Sequence, residues 1–378
     1  MLYNISILII KLIITGRAGK LLIFAGLISA TSTLYAQENN NNVVASSVPL
    51  LRINPDVRSA AMGETSVATS PDAASGMFNT SKSVFSDKKT SLTLNYAPWL
   101  RDITSGSYLL SAAGFHKLDD RQAITGSLRY FNSGKIEERD FNNNLTQLLT
   151  PVEFALDAGY ARMLSEKLSV GVSFRFINST IGKTISNSAG SASAFAADFS
   201  AYYTNIDNEG KGFSAGLVIA NLGNGKMSYG DNNSNDGFLP ARVTLGAGYA
   251  LPVDSENKLS FSGEINKSLV PLIPEGENGM KEFMDYSVFE SYGKSLSNGA
   301  VSFGVGGEYN YKDFLFLRAG YYAESNSFGG RSFISTGAGV VYEGIGLNLG
   351  YIVPSGNGVK RNALANTIRI GLSFNFGN

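Results

Sequence analysis

The chain lacks cysteine and carries a single histidine, His116, among its 378 residues. Without cysteine there is no disulfide, no thiolate metal site and no cysteine nucleophile. One histidine rules out a two-histidine metal site. An excess of charge of one sign is also missing, because 31 basic residues balance 31 acidic ones. That balance argues against a nucleic-acid partner, and we predict neither a metal nor another cofactor.

Long apolar runs are missing after the first 36 residues, since no later stretch reaches the about 18 apolar residues of a membrane-spanning helix. The N-terminus differs. Lys11, Arg17 and Lys20 precede the apolar run Leu21–Ala30, and small residues follow up to Ala36. This pattern predicts a secretory signal peptide over residues 1–36. An uncut membrane anchor is the alternative, but its apolar run is short for a membrane span.

Glycine and aromatic residues are abundant: the chain has 42 glycines, 11% aromatic residues and only 16% charged residues. This mixture is typical of outer-membrane barrels. From Thr90 onward the sequence is a series of segments with alternating hydrophobicity. Each has about 10 to 13 residues, the length of a tilted transmembrane strand. About fourteen such segments can be counted, and single-chain bacterial barrels have an even number of strands.

The connections between these segments alternate in length. Short polar turns such as Asp119–Arg121 and Ser165–Lys167 alternate with long connections such as Asn132–Thr150 and Val270–Asn298. Outer-membrane barrels have short periplasmic turns and longer external loops. We therefore predict an all-β fold, an antiparallel barrel of about 14 strands over residues 90–378 that is integral to the cell outer membrane.

The segment Leu50–Phe85 does not alternate, and we predict that residues 37–89 form a polar lead-in and a plug inside the barrel. Two short helical turns are expected in the plug. Asn54 is a suitable N-cap, Pro55 suits the first helical position, and Asp56 complements the helix dipole. Gly63 can then end the turn in the left-handed conformation.

A second helical turn is predicted from the same pattern of capping residues, with Ser70, Pro71, Asp72 and Gly76 in the corresponding places. The other side chains expected to shape the plug are Arg58, Met62, Met77, Phe78 and Asn79. Glycines of the Gly304-Val-Gly-Gly run lie inside a predicted strand, so we interpret them as positions where the wall packs closely on the plug rather than as a nucleotide-binding loop.

The two-residue period of the strands assigns one face to lipid and the other to the lumen. Charged side chains must face the lumen, because an arginine facing lipid at the bilayer midplane costs about 2–4 kcal/mol. The predicted luminal charges are Arg129, Arg175, Arg242, Arg318, Arg369, Glu153, Asp157, Asp198, Glu264 and Glu308. Two arrangements remain open: internal ion pairs around the plug, or a solvated polar lumen without specific pairs.

These residues resemble a known family. The segment LRINPDVRSAAMGETSVATSPDAASGMFNTSKSVF, with SLTLNYAPWL and KLDDRQAITGSLRYFNSGKI after it, is similar to the PorV family. That family belongs to the type IX secretion system of Bacteroidetes. The layout also resembles the FadL-type transporters, fourteen-stranded barrels with an N-terminal hatch. The chain has Asn79-Thr80-Ser81 where FadL-like hatches commonly read Asn-Pro-Ala.

The resemblance implies a non-enzymatic role in protein secretion. Such a protein accepts cargo that bears a C-terminal signal domain from the translocon barrel and delivers it to the surface attachment and sortase complex. Outer-membrane lipid surrounds the barrel, and lipopolysaccharide is a further candidate ligand. By analogy the loop Val270–Asn298, with Tyr286, Phe289 and Tyr292, contacts a partner. The alternative is that these rings belong to the interfacial aromatic girdle.

Two other functions fit parts of the sequence. A FadL-like channel for hydrophobic small molecules needs an apolar pocket at the plug, which Met62, Met77 and Phe78 would line. The same side chains could instead pack the plug's own core. A lipid deacylase with a Ser–His–acid triad would need His116 beside a serine of a neighbouring strand such as Ser127. Otherwise His116 is an ordinary polar residue at the membrane rim.

Overall fold

Apolar and polar side chains alternate along the strands of a closed sheet, which gives the sheet an apolar outer face. The computed structural model describes residues 43–99, 106–180, 190–223, 225–229, 237–355 and 367–377. In strand β1 (Thr90–Pro98), Leu92 and Leu94 are exposed on the outside, whereas Ser91 and Thr93 are buried inside. The predicted signal peptide and the lead-in up to residue 42 lie outside the described residues.

Fourteen antiparallel strands close the barrel, in which β1 pairs with both β2 and β16. The other barrel strands are β2 (Tyr108–Asp119), β3 (Gln122–Asn132), β6 (Val152–Ser165), β7 (Leu168–Thr180), β8 (Ser191–Ile206), β9 (Gly212–Gly223), β10 (Arg242–Pro252), β11 (Asn257–Ser268), β12 (Val301–Tyr311), β13 (Leu315–Glu324), β14 (Ser332–Tyr342), β15 (Ile345–Pro354) and β16 (Ile368–Phe376). The prediction of an antiparallel barrel of about 14 strands is confirmed.

Short turns join the strands at one end of the barrel and long connections join them at the other. The short-turn end is periplasmic and the long-loop end external, by the asymmetry of outer-membrane barrels. The connection from β3 to β6 was predicted only as a long connection. It holds a two-stranded ribbon, β4 (Ile136–Arg139) and β5 (Leu145–Leu149).

The plug runs through the lumen from the external end to the periplasmic end. At the external end, Val44 N donates to Ser327 O at 2.9 Å. At the periplasmic end, Lys117 Nζ donates to Ser86 O at 3.0 Å. Between them lie a 3₁₀ helix (Pro49–Arg52), helix α1 (Val57–Ala61), helix α2 (Ser75–Phe78) and a second 3₁₀ helix (Thr80–Phe85).

The first helical turn begins two residues later than predicted. Asp56, not Asn54, is the N-cap of α1, and its carboxylate accepts a hydrogen bond from Ser59 N at 2.7 Å. A charged acceptor at this position also complements the helix dipole. Pro55 therefore precedes the helix, and Asn54 donates to Ser59 Oγ at 2.6 Å. Gly63 has the predicted left-handed conformation, with φ of 66°.

The second turn was placed wrongly. Helix α2 starts at Ser75 after Ala74, so Ser70 and Pro71 do not open it. Asp72 instead forms a turn in which its side chain accepts from Ala74 N at 3.1 Å, a local competitor of helix initiation. Gly76, predicted to end the helix, lies inside it, where a Cβ atom would come within 2.8 Å of the wall residue Thr125.

Two helices lie in the external connection between β11 and β12, α3 (Gly279–Asp285) and α4 (Val288–Ser295). Ser287 caps α4 by accepting a hydrogen bond from Glu290 N. Among the described residues, no helix has the length and apolar character that crossing a membrane requires.

Candidate functional site

The lumen is the first candidate site, because the structure places all ten predicted luminal charges inside the barrel. Nine of them are buried, and Arg242 lines an internal cavity. The nine buried charges fall into three groups: a network around Arg58 of the plug, a network within the wall, and side chains that bind the plug main chain.

Arg58 of helix α1 connects three parts of the lumen. It forms a bidentate pair with Glu308 of β12, with Nε–Oε2 of 3.0 Å and Nη2–Oε1 of 2.8 Å. Its Nη1 lies 2.7 Å from Asp72 Oδ2 in the turn before α2. Glu308 also accepts from Arg318 Nε at 2.6 Å. Arg58 therefore ties the plug both to itself and to the wall.

The second network lies within the wall. Arg175 of β7 donates from Nε to Asp157 Oδ1 at 2.5 Å and from Nη2 to Asp198 Oδ2 at 2.9 Å. Arg129 of β3 lies 3.8 Å from Asp157 and donates to Met77 O of the plug at 2.6 Å. Buried charges need such pairing, since an unpaired one is strongly destabilising.

Three other luminal charges bind the plug main chain. Glu264 Oε2 accepts from the backbone N–H groups of Ser66 and Val67 at 2.8 and 2.9 Å. Glu153 accepts from Leu50 N at 2.9 Å, and Arg369 Nη1 donates to Asn54 O at 2.6 Å. Specific pairs, rather than a solvated lumen, are what the structure shows at these positions.

Glycines bring the wall and the plug into backbone contact, as interpreted from the sequence. A Cβ at Gly304 would lie 2.1 Å from Gly63 O, and one at Gly306 would lie 2.3 Å from Met62 O. On β13, a Cβ at Gly320 would lie 2.1 Å from Gly63 N. No side chain fits between these backbones, so the plug is held by shape as well as by charge.

Lys82 is a plug residue whose role the sequence pattern did not predict. Its side chain is buried and donates to Ser66 O at 2.6 Å and to Thr69 Oγ1 at 3.0 Å. Burial lowers the pKa of Lys82 to about 8, and the Asp72 carboxylate opposes that shift. A lysine between polar residues gives no sign of burial in the sequence, because lysine is usually exposed.

The predicted hydrophobic lining of the plug serves packing. Met62 and Met77 are buried. Asn79 caps the second 3₁₀ helix by accepting from Ser81 N and donates to Val67 O at 2.9 Å. Phe78 borders an internal cavity of about 50 Å³ whose lining is mainly polar and charged.

The external connection from β11 to β12 is the second candidate site. Tyr286 is buried in a cluster with Phe283, and Lys294 Nζ lies 4.6 Å from its ring centroid. The Tyr292 hydroxyl accepts from Gly223 N at 3.2 Å. Phe289 is 84% exposed. Of the three predicted aromatic residues, Tyr286 and Tyr292 hold the loop together, and Phe289 presents its ring to the outside.

A further exposed aromatic side chain was not foreseen. Phe141 lies in the turn between β4 and β5 and is fully exposed. In that turn Asp140 accepts hydrogen bonds from Asn142 N and Asn144 N, both at 2.8 Å. A sequence signal was present, since a phenylalanine within the polar run Asp140–Asn144 has no apolar neighbours to pack on.

The geometry contradicts the Ser–His hypothesis. His116 is exposed on the outer face, where Nδ1 lies 2.7 Å from Thr90 Oγ1. Ser127 faces the lumen and donates to Asp157. The two side chains lie on opposite faces of the sheet, so they cannot act together. Within the described residues, no group of three His, Asp or Glu side chains is arranged to hold a metal ion.

A closed fourteen-stranded barrel with an apolar outer face and a plug in its lumen defines a bacterial outer-membrane protein. Similar solved structures include the Ralstonia pickettii toluene transporter TbuX (13% identity, TM-score 0.53, covering 86% of this chain and 98% of that one). A Pseudomonas aeruginosa FadL homologue has 12% identity and a TM-score of 0.50, covering 89% and 100%. The monoaromatic hydrocarbon channel CymD has 12% identity and a TM-score of 0.54, covering 88% and 100%. At these identities the likeness concerns the fold alone.

The sequence itself matches a family model. The model described as "Type IX secretion system protein PorV" matches residues 36–275, well over half of the chain. No curated protein sequence matches. The chain belongs to the PorV family and is an outer-membrane component of type IX secretion, so the resemblance predicted from the plug sequence is confirmed.

Proposed function

We propose that this protein accepts secreted cargo bearing a C-terminal signal domain from the type IX translocon barrel and delivers it to the surface attachment and sortase complex. The observation that carries the proposal is the fixed plug. The plug fills the described part of the lumen. It is held there by ion pairs at Arg58, by main-chain hydrogen bonds at Glu264 and by backbone contacts at Gly304 and Gly306. A barrel filled in this way acts through its external surface, and the role is non-enzymatic.

The external end offers separate apolar anchors for a protein partner. Phe289 and Leu296 near the end of the β11–β12 connection are 84% and 72% exposed, and Phe141 at the tip of the ribbon is fully exposed. Aromatic side chains are enriched at protein–protein interfaces relative to the rest of a protein surface. Separate anchors rather than one large patch suit a partner that must be released again.

The channel alternative is supported by the fold only. TbuX is a toluene transporter and CymD a monoaromatic hydrocarbon channel. An apolar cavity of about 150 Å³ is the size that accepts benzene. The cavity beside this plug measures about 50 Å³ and is lined by Arg52, Arg129, Arg242 and Glu64 among others. Such a lining disfavours a hydrocarbon.

The test is a pull-down of the tagged protein from outer membranes in gentle detergent, with mass spectrometry of co-purifying proteins. Wild type is compared with the double variant Phe141→Ser/Phe289→Ser. The control is Val253→Ser, which removes a 60% exposed apolar side chain from a periplasmic turn. We expect wild type and control to recover the translocon barrel and cargo that retains its signal domain, and the double variant to recover less cargo. Recovery of the barrel alone, with a fatty-acid-like ligand, would contradict the proposal and favour transport.

A further inference from the structure

A polar cavity of about 50 Å³ lies between the plug and the wall, toward the external end of the barrel. The plug contributes Arg52 and Glu64 to its lining, and the wall contributes Arg129, Arg242 and Glu264. A cavity of this volume holds a few water molecules or one small ion with water.

Unpartnered polar atoms are concentrated around this cavity. Four of its lining residues have a buried polar atom without a hydrogen-bond partner among the described residues: Glu64 Oε1, Arg129 Nε, Arg242 Nε and Ser302 Oγ. Two of these side chains, Arg129 and Ser302, are only 3% and 2% exposed. Buried polar groups almost always have partners. Arg129 Nε and Arg242 Nε can only donate and Ser302 Oγ can donate, so these three atoms can be satisfied by an acceptor, whereas Glu64 Oε1 needs a donor such as water.

The charges around the cavity also call for a negative partner. Arg129 has Asp157 at 3.8 Å, but among the described residues no carboxylate lies within 4.0 Å of Arg242. Glu264 is already engaged with two N–H groups of the plug. Burial raises the pKa of Glu64 and so weakens it as a counter-ion. Arginine cannot neutralise itself by losing a proton.

We infer that this cavity binds a small monovalent anion of the size of chloride, held by Arg242 and Arg129 with Ser302 as a further donor. The anion would complete the hydrogen bonds of the wall and hold the plug at its external end. This inference is independent of the cargo-delivery proposal, because it concerns the lumen and is measured on the purified protein alone.

The test is a halide titration of the full-length protein in detergent. Urea unfolding is followed by the fluorescence of the single tryptophan, Trp99, which is buried against Phe131. Sodium bromide is compared with sodium gluconate at equal ionic strength, since gluconate is too large for the cavity. We expect bromide to raise the unfolding midpoint saturably. Arg242→Gln should lower the affinity for bromide about tenfold or more, so that a higher bromide concentration is needed for half of the effect, because the substitution removes a charge-assisted hydrogen bond.

Two controls keep the test decisive. Lys258→Gln removes an exposed periplasmic charge and should leave the bromide effect unchanged. If Arg242→Gln fails to fold, Ser302→Ala removes one donor without a change of charge and should weaken the effect. Crystals grown in bromide should show an anomalous peak between Arg242 and Arg129. Identical unfolding curves in bromide and gluconate, or a full bromide effect in Arg242→Gln, would overturn the inference.

Discussion

Replacing Arg58 should loosen the plug while leaving the barrel intact. In Arg58→Gln the side chain loses its pairs with Glu308 and Asp72 and its hydrogen bond to Ser70 Oγ at 2.7 Å. Removing one partner of a buried ion pair costs about 3–5 kcal/mol. Because Arg318 still neutralises Glu308 from 2.6 Å, we expect the lower end, about 3 kcal/mol. The backbone hydrogen bonds between the barrel strands do not change, so the lost stability concerns the plug.

Hydrogen exchange with mass spectrometry measures this loss locally. A cost of about 3 kcal/mol corresponds to about a hundredfold faster exchange of the amides of α1 and the turn before α2, if they exchange by local opening. The amides of β1 and β16 should exchange as in wild type. Lys258→Gln is the control, because it breaks an exposed pair with Asp313, and such pairs contribute little. Unchanged plug exchange in Arg58→Gln would refute the idea that this network fixes the plug.

Three further predictions concern the plug. Gly306→Ala should destabilise it by about 1–3 kcal/mol through overpacking, whereas Gly307→Ala should not, because its Cβ would lie 3.5 Å from the nearest atom; plug proteolysis distinguishes the two variants. Asp56→Ala should lower the free energy of unfolding by about 1 kcal/mol, because it removes the N-cap. The control Glu256→Ala changes an exposed side chain and should lower it less. Both are measured as urea midpoints. Relative to Lys82→Met, the wild-type midpoint should rise between pH 8 and about 10.5, because the folded protein releases the Lys82 proton near pH 8 and the unfolded chain holds it to about 10.5. A flat difference between those pH values contradicts the last prediction.

Sequence patterns predicted the barrel well because its strands repeat one physical rule. Each strand alternates between lipid and lumen, so the luminal phase of Arg175 or Glu308 follows from its apolar neighbours. The partners of these charges could not be predicted. Arg58 and Glu308 are 250 residues apart, and only the closure of the barrel brings them together.

The plug was harder to predict because its local signals compete. Asn54 and Asp56 are both good N-caps two residues apart. In the structure Asp56 accepts the hydrogen bond from Ser59 N and caps the helix, whereas Asn54 donates to Ser59 Oγ. The places of Lys82 and of the wall glycines depend on tertiary contacts, which local sequence propensities do not indicate. On the external loop, the sequence does not distinguish an aromatic side chain that packs inward, such as Tyr286, from one that points outward, such as Phe289.

The irregular backbone of the plug explains why the lumen is charged. Short helices and turns leave many backbone N–H and C=O groups without partners of their own. Luminal carboxylates such as Glu264 accept from those N–H groups, and Arg369 donates to a plug carbonyl. Apolar luminal side chains would pack the volume but leave these groups unpaired, which is costly. At the external end a backbone hydrogen bond adds to them: Val44 N of the chain entering the plug donates to Ser327 O of the β13–β14 connection. A plug held in this way gives the external loops a rigid base for the cargo exchange that we propose.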